Sequence, residues 1–170
     1  MDGMLQVYTG NGKGKTTAAI GLAVRAAGAG MNVFIGQFVK GMKYNEIKVL
    51  NNIPEITVKQ YGLDCFIEKD PTKEDIEAAR AGLKEMEKII KSGDYELVIM
   101  DEVSIAVYFN LFTNDELLEM IEKRADNVEI VLTGRYADKK LIEMADLVTE
   151  MKEIKHYYTQ GIITREGIER

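Results

Sequence analysis

Residues 9–17 read Thr9-Gly10-Asn11-Gly12-Lys13-Gly14-Lys15-Thr16-Thr17. Glycines at alternate positions let the backbone turn tightly enough to aim successive N–H groups at one point, and such a concavity holds an anion without a cationic wall. Lys15 adds a full positive charge, Thr16 a hydroxyl suited to Mg²⁺, and Thr17 a further hydroxyl. The chemistry these types and spacings support is polyphosphate binding, with ATP and Mg²⁺ as the expected ligand and ion. The usual G-x-x-x-x-G-K-[ST] spacing requires glycine at position 9, where this chain has Thr9, so the loop is a variant.

A second group of chemically able residues closes the run Leu97-Val98-Ile99-Met100-Asp101-Glu102. An apolar strand ending in two carboxylates is the form of a Walker B element. Asp101 is suited to hold Mg²⁺ directly or through water, and Glu102 is either a second metal contact or a group that positions an attacker. Thr133-Gly134-Arg135 follows another apolar run and places a guanidinium where open α/β sheets bind ligands, as a phosphate contact or as a solvated turn.

These loops need a scaffold. Apolar, β-branched runs are expected as strands at residues 5–9, 32–38, 56–60, 96–101, 128–133 and, less strongly patterned, 146–151. They alternate with helical segments, which predicts a parallel sheet with helices on both faces. The alanine-rich segment 18–29 continues directly from the glycine loop, so the loop sits between strand and helix. Residues 72–91 carry Ile76, Ala79, Leu83, Met86 and Ile90 on one face, with a start signal at Asp70-Pro71-Thr72 and Asp75 and a stop at Ser92-Gly93. A further helix is expected at 114–124, with Asp115 and Glu116 in its first turn and Lys123 and Arg124 in its last.

Composition excludes other classes. A length of 170 residues, 46% of them hydrophobic, fits one compact domain over 1–170. A formal charge of −6 argues against nucleic acid or an anionic membrane as the main partner. No apolar run reaches the length of a membrane span and no leader pattern precedes the first strand, so the expected location is cytoplasmic. One cysteine, Cys65, excludes an intramolecular disulfide, and one histidine, His156, excludes a histidine metal cage. Cys65 reads as a packing residue and His156 as a residue bonded to nearby backbone.

The glycine loop followed by Ala18-Ala19, Arg25-Ala26-Ala27-Gly28-Ala29-Gly30 and Gly36-Gln37-Phe38-Val39-Lys40-Gly41 closely resembles the P-loop type of ATP:corrinoid adenosyltransferases. The likeness continues through Asp101-Glu102, Thr133-Gly134-Arg135, residues 145–151, Lys155-His156 and residues 161–169. It implies a P-loop NTPase-like (RecA-like) α/β fold with a mostly parallel open sheet. It also implies that the Co(I) centre of a corrinoid attacks C5′ of ATP and expels triphosphate, giving adenosylcobalamin or adenosylcobinamide.

By that resemblance, Thr9 to Thr17 and Arg25 contact ATP, although Arg25 also reads as a helix-surface charge. Thr16, Asp101 and Glu102 hold Mg²⁺; Lys15, Glu102 and Arg135 are the expected catalytic residues, with Lys15, Arg135 and Mg²⁺ stabilising the triphosphate leaving group. Gln37, Phe38, Lys40, Gly62, Leu63 and Phe66 contact the corrinoid. Relatives often carry aromatic residues after the glycine matching Gly62, where this chain has Leu63, Asp64, Cys65 and Phe66. The resemblance further implies a homodimer and a flavoprotein or flavodoxin-type reductant for Co(II). Two other readings stay open on the loop alone: a phosphotransferase or ATPase acting at the γ-phosphate, and an ATP-gated binding module.

Overall fold

The computed structural model describes residues 2–39, 45–63 and 70–169. Six strands, β1 (Leu5–Thr9), β2 (Val33–Phe38), β3 (Ile56–Tyr61), β4 (Leu97–Asp101), β5 (Glu129–Thr133) and β6 (Leu147–Glu150), form one sheet in the order β3-β2-β4-β5-β1-β6. All pairings are parallel. The expected P-loop α/β class is therefore the observed one, and every strand anticipated from composition is present within a residue or two of its expected ends.

Strand parity decides which helices cover which face. Val33, Ile35, Leu97, Ile99 and Val131 pack with Ala19 and Ala23 of α1 (Lys15–Gly28) and with Leu50 of α2 (Asn45–Leu50). The alternate positions Phe34, Phe38, Val98, Met100, Ile130 and Leu132 pack against a larger apolar layer. That layer includes Met86 and Ile90 of α3 (Lys73–Ser92), Ala106 of α4 (Val103–Tyr108), Leu117 of α5 (Asn114–Ile121) and Leu141 of α6 (Lys139–Met144). Each fully buried large apolar side chain contributes about 1.5–3 kcal/mol of transfer free energy, so burial on both faces drives the three-layer arrangement.

The helix ends have local causes. In α3 the Asp75 amide donates to Thr72 Oγ1 at 3.2 Å while the Thr72 amide donates to the Asp75 carboxylate at 2.8 Å, and Gly93 at φ 71° ends the helix. The same reciprocal cap, Thr113 with Glu116, starts α5. However, α5 stops at Ile121, so the expected extension to 124 is corrected. Lys123 instead pairs with Glu87 at 3.2 Å, and Arg124 donates to the Gly3 carbonyl at 3.4 Å. Contacts with other elements, not the helix dipole, occupy those two cations.

Helix α1 begins three residues before the expected position 18, because Gly14 at φ 119° provides the turn into it. Helices α2, α4 and α6 were not anticipated; at six residues each they are shorter than two helical turns and leave no periodic signal. Among the described residues, no helix is long and apolar enough to cross a membrane.

Candidate functional site

The carboxyl ends of β1, β4 and β5 meet around a cavity of about 700 Å³. Its floor is the loop Asn11 to Thr17, and Glu102 and Arg135 contribute from the ends of β4 and β5. Helix α1 opens on this cavity with no side chain capping its first amides and no acidic residue in its first turn. By contrast α3, α5 and α6 are capped by Thr72, Thr113 and Asp138. The N–H groups that a cap would satisfy, with the positive end of the helix dipole, therefore face the cavity and suit an anion.

Lys15 is 6% exposed, and its ammonium donates to the carbonyls of Gly10 and Gly12 at 2.7 and 2.8 Å. The lysine thereby ties the loop into a ring around its own cation. Gly14 and Gly10 need their positive φ values of 119° and 98°. Gly12 has another reason to be glycine: its amide donates to the Met151 carbonyl at 2.6 Å, and a Cβ there would lie 2.6 Å from that oxygen. The expectation that the loop amides all converge on an anion is thus corrected at Gly12, whose N–H faces the chain leaving β6.

We expect Gly12→Ala to force that segment off the loop. Overpacking of this kind costs about 1–3 kcal/mol, and ATP binding should weaken with it. Urea unfolding and calorimetric titration with ATP measure the two effects, and unchanged values in both would show that the contact is dispensable.

Asp101, 1% exposed, is the hub of the acidic side. Its Oδ1 accepts from Thr16 Oγ1 at 2.8 Å and from Thr133 Oγ1 at 2.6 Å, and its Oδ2 accepts from Gln37 Nε2 at 3.2 Å. Gln60 Nε2 then donates to Gln37 Oε1 at 3.1 Å. Register explains the meeting: Gln37 is paired with Asp101 across β2 and β4, and Asp101 has the parity of Leu97 and Ile99, which face α1 and hence Thr16. No group of three or more His, Cys, Asp or Glu side chains able to hold a metal occurs among the described residues. Mg²⁺ needs only one or two protein oxygens beside phosphate and water, and the adjoining Thr16 and Asp101 oxygens fit that need.

Glu102 takes a left-handed backbone at φ 59°, with its amide donating to Thr133 Oγ1 at 3.0 Å. Val39 at φ 58° ends β2 and Tyr136 at φ 60° follows Arg135. A β-branched residue in this region is rare. Of these positions Glu102 itself lines the cavity, and strain of this kind is commonly found in functional sites.

The remaining expected residues separate clearly. Asn11, Lys13, Thr17 and exposed Arg135 line the cavity; Thr9 and Gly10 lie behind it, and the Thr9 carbonyl accepts from Met151 N at 2.8 Å. Arg25 is exposed in the last turn of α1 and does not line the cavity. Phe38 is fully buried against Tyr61 and Phe112, with ring centroids 5.3 and 5.7 Å away. Gly62 and the exposed Leu63 follow β3 directly, next to the end of β2. Lys40, Cys65 and Phe66 fall outside the described residues.

Sequence reasoning missed the contribution of the C-terminal segment. His156 lines the cavity, and its Nδ1 accepts from Tyr158 N at 3.0 Å, starting the 3₁₀ turn Tyr157–Gln160. Gly167, Ile168 and Glu169 also line the cavity, and Lys13 of the loop donates to the Tyr157 hydroxyl, the Ile168 carbonyl and Glu169. No spacing rule links residues so far apart in the chain; only the pairing of β6 with β1 brings them together.

The family model described as ATP:corrinoid adenosyltransferase BtuR/CobO/CobP matches residues 1–170. A corrinoid adenosyltransferase of Pseudomonas aeruginosa is 36% identical over 169 residues, covering 98% of this chain and 83% of that one. Those of Escherichia coli K12 and Salmonella typhimurium are each 29% identical over 167 residues, covering 98% of this chain and 85% of theirs.

Proposed function

The chain belongs to the ATP:corrinoid adenosyltransferase family, and from that premise we propose that it transfers the 5′-deoxyadenosyl group of ATP to the Co(I) centre of a corrinoid. Cobalt supplies the electron pair that forms a cobalt–carbon bond at C5′, the C5′–O bond breaks, and triphosphate leaves with the electron pair of that C5′–O bond. The protein needs no nucleophile of its own for this reaction. Its task is to hold the triphosphate so that C5′ is presented to the corrinoid, and to stabilise the charge that develops on the departing oxygen.

The observation that carries this reading is the uncapped start of α1 beneath a loop that encloses Lys15, in a chain matched by the family over its whole length. Lys15 and the first amides of α1 would take the phosphate oxygens, with Arg135 reaching the same cavity from β5. Mg²⁺, held by Thr16 and Asp101, would neutralise part of the triphosphate charge. Glu102, at the cavity wall, would position that ion or the water around it. The corrinoid is assigned to the carboxyl edge of β2 and β3, near Gln37, Gly62 and Leu63. Phe38 supports that edge from the core instead of touching the ligand.

Cobalt must arrive as Co(I), and the electron is assigned to a separate flavodoxin-type donor. A homodimer is part of the same reading.

The test is incubation with ATP, Mg²⁺ and chemically reduced cobalamin. The expected result is the absorbance change of alkylcobalamin formation, with one triphosphate released per cobalt alkylated. ADP or orthophosphate without alkylcobalamin would sink the proposal and return the site to γ-phosphate chemistry.

A further inference from the structure

Glu169 is surrounded by hydrogen-bond donors. Its carboxylate accepts from Lys13 Nζ at 2.8 Å, from the Arg165 amide at 2.8 Å, from Arg165 Nε and an NH2 nitrogen at 3.3 and 3.1 Å, and from the Tyr157 hydroxyl. The Arg165 guanidinium also lies 4.6 Å from the centre of the Tyr157 ring. Two cations, a phenol and a backbone N–H around one pair of oxygens form a donor set that suits a phosphate group equally well. Hydrogen bonds from Arg165, then Lys13 and Tyr157, hold the Glu169 carboxyl well below the usual carboxylate range, so it is ionised at neutral pH.

The position matters as much as the chemistry. Lys13 belongs to the phosphate loop, and both Lys13 and Glu169 line the cavity with Lys15 and Thr16. Tyr157 and Arg165 reach the carboxylate without lining the cavity themselves. Leaving aside Glu169, the cluster carries two positive charges next to the loop. With Glu169 in place it carries one, and a negative group faces the space where a triphosphate would extend.

Resting on the reading that this cavity holds ATP and releases triphosphate, we propose that Lys13, Tyr157 and Arg165 form a second phosphate subsite at the cavity wall. Glu169 occupies it as an internal competitor. An entering polyphosphate displaces the carboxylate and takes its donors. The carboxylate remains tethered a few residues from Arg165, so it returns at high effective concentration and helps expel the triphosphate product.

The test uses inorganic tripolyphosphate, which involves no corrinoid, and calorimetric titration of the full chain at fixed ionic strength. Glu169→Gln should bind tripolyphosphate about tenfold more tightly than the parent, since the anion no longer competes with a charge for Lys13 and Arg165. The gain should disappear in the double variant Glu169→Gln with Arg165→Gln. Glu169→Ala provides a second removal of the carboxylate, and unfolding midpoints establish that each variant is folded. Unchanged or weaker binding in both single variants would overturn the proposal and leave Glu169 as a residue that merely positions Lys13. A gain that survives loss of Arg165 would overturn it too, by reducing the effect to net charge. Failure of the adenosyl-transfer reading would appear separately, in the alkylcobalamin assay.

Discussion

Lys15→Ala should lower adenosyl transfer by about 100- to 1000-fold, the range seen when one preorganised group facing a developing negative charge is removed. Lys15 is nearly buried, and its ammonium binds the Gly10 and Gly12 carbonyls. The substitution therefore removes the one full charge enclosed by the loop and also unties the ring that gives the loop its shape. There is a structural part to the loss as well. Hydrogen bonds from a charged donor are worth about 1.5–3 kcal/mol each, and 1 kcal/mol moves the unfolding midpoint of a chain this size by roughly 2–4 °C. Single-turnover measurement with reduced cobalamin, run beside thermal unfolding, separates the two effects. A near-normal rate would show that the cradle has been assigned to the wrong lysine.

The second large effect is expected at Asp101. Asp101→Asn keeps the side chain's shape and removes its charge, so the sheet should form while Mg²⁺ binding and turnover fall by about 100-fold or more. The substitution also breaks a chain of matched partners. Asp101 accepts from Thr16, Thr133 and Gln37, whereas asparagine must turn an NH₂ group toward one of those donors. Reorienting Gln37 passes the mismatch to Gln60, which donates to Gln37 Oε1. A buried mismatch of this type costs about 1–3 kcal/mol. Initial rates measured across a Mg²⁺ titration decide the matter: the parent rate at every Mg²⁺ concentration would remove Asp101 from the metal site.

Much of the scaffold was legible because each layer obeys a period. The buried parallel strands are short apolar runs, α3 repeats its apolar face, and its capping box is written in Thr72 and Asp75. The glycine loop could be read as a phosphate cradle because it follows a strand and opens a helix, a local arrangement. Strand parity also held information that the family resemblance obscured. Gln37 and Phe38 are neighbours in one strand, so only one of them can face the α1 side where Asp101 lies; Phe38 is the other, and it is core. The short helices α2, α4 and α6, and the early stop of α5, were not legible because fewer than two turns give no period and a helix end is set by its neighbours.

What the sequence alone determined is the set of groups and the nearest-neighbour geometry: a flexible glycine loop, a lysine and a threonine after it, and two carboxylates at the end of an apolar strand. Those relations span a few residues, and backbone stereochemistry fixes them wherever the segment folds. The tertiary structure decided which distant groups share the cavity. Parallel pairing of β4 with β5 carries Thr133 to Asp101, and pairing of β1 with β6 brings Met151 onto Gly12. The segment beyond then delivers Glu169 to Lys13, across more than 150 residues. Such contacts depend on strand order and register, which are set by how both faces of the sheet are buried at once, and no local pattern encodes them.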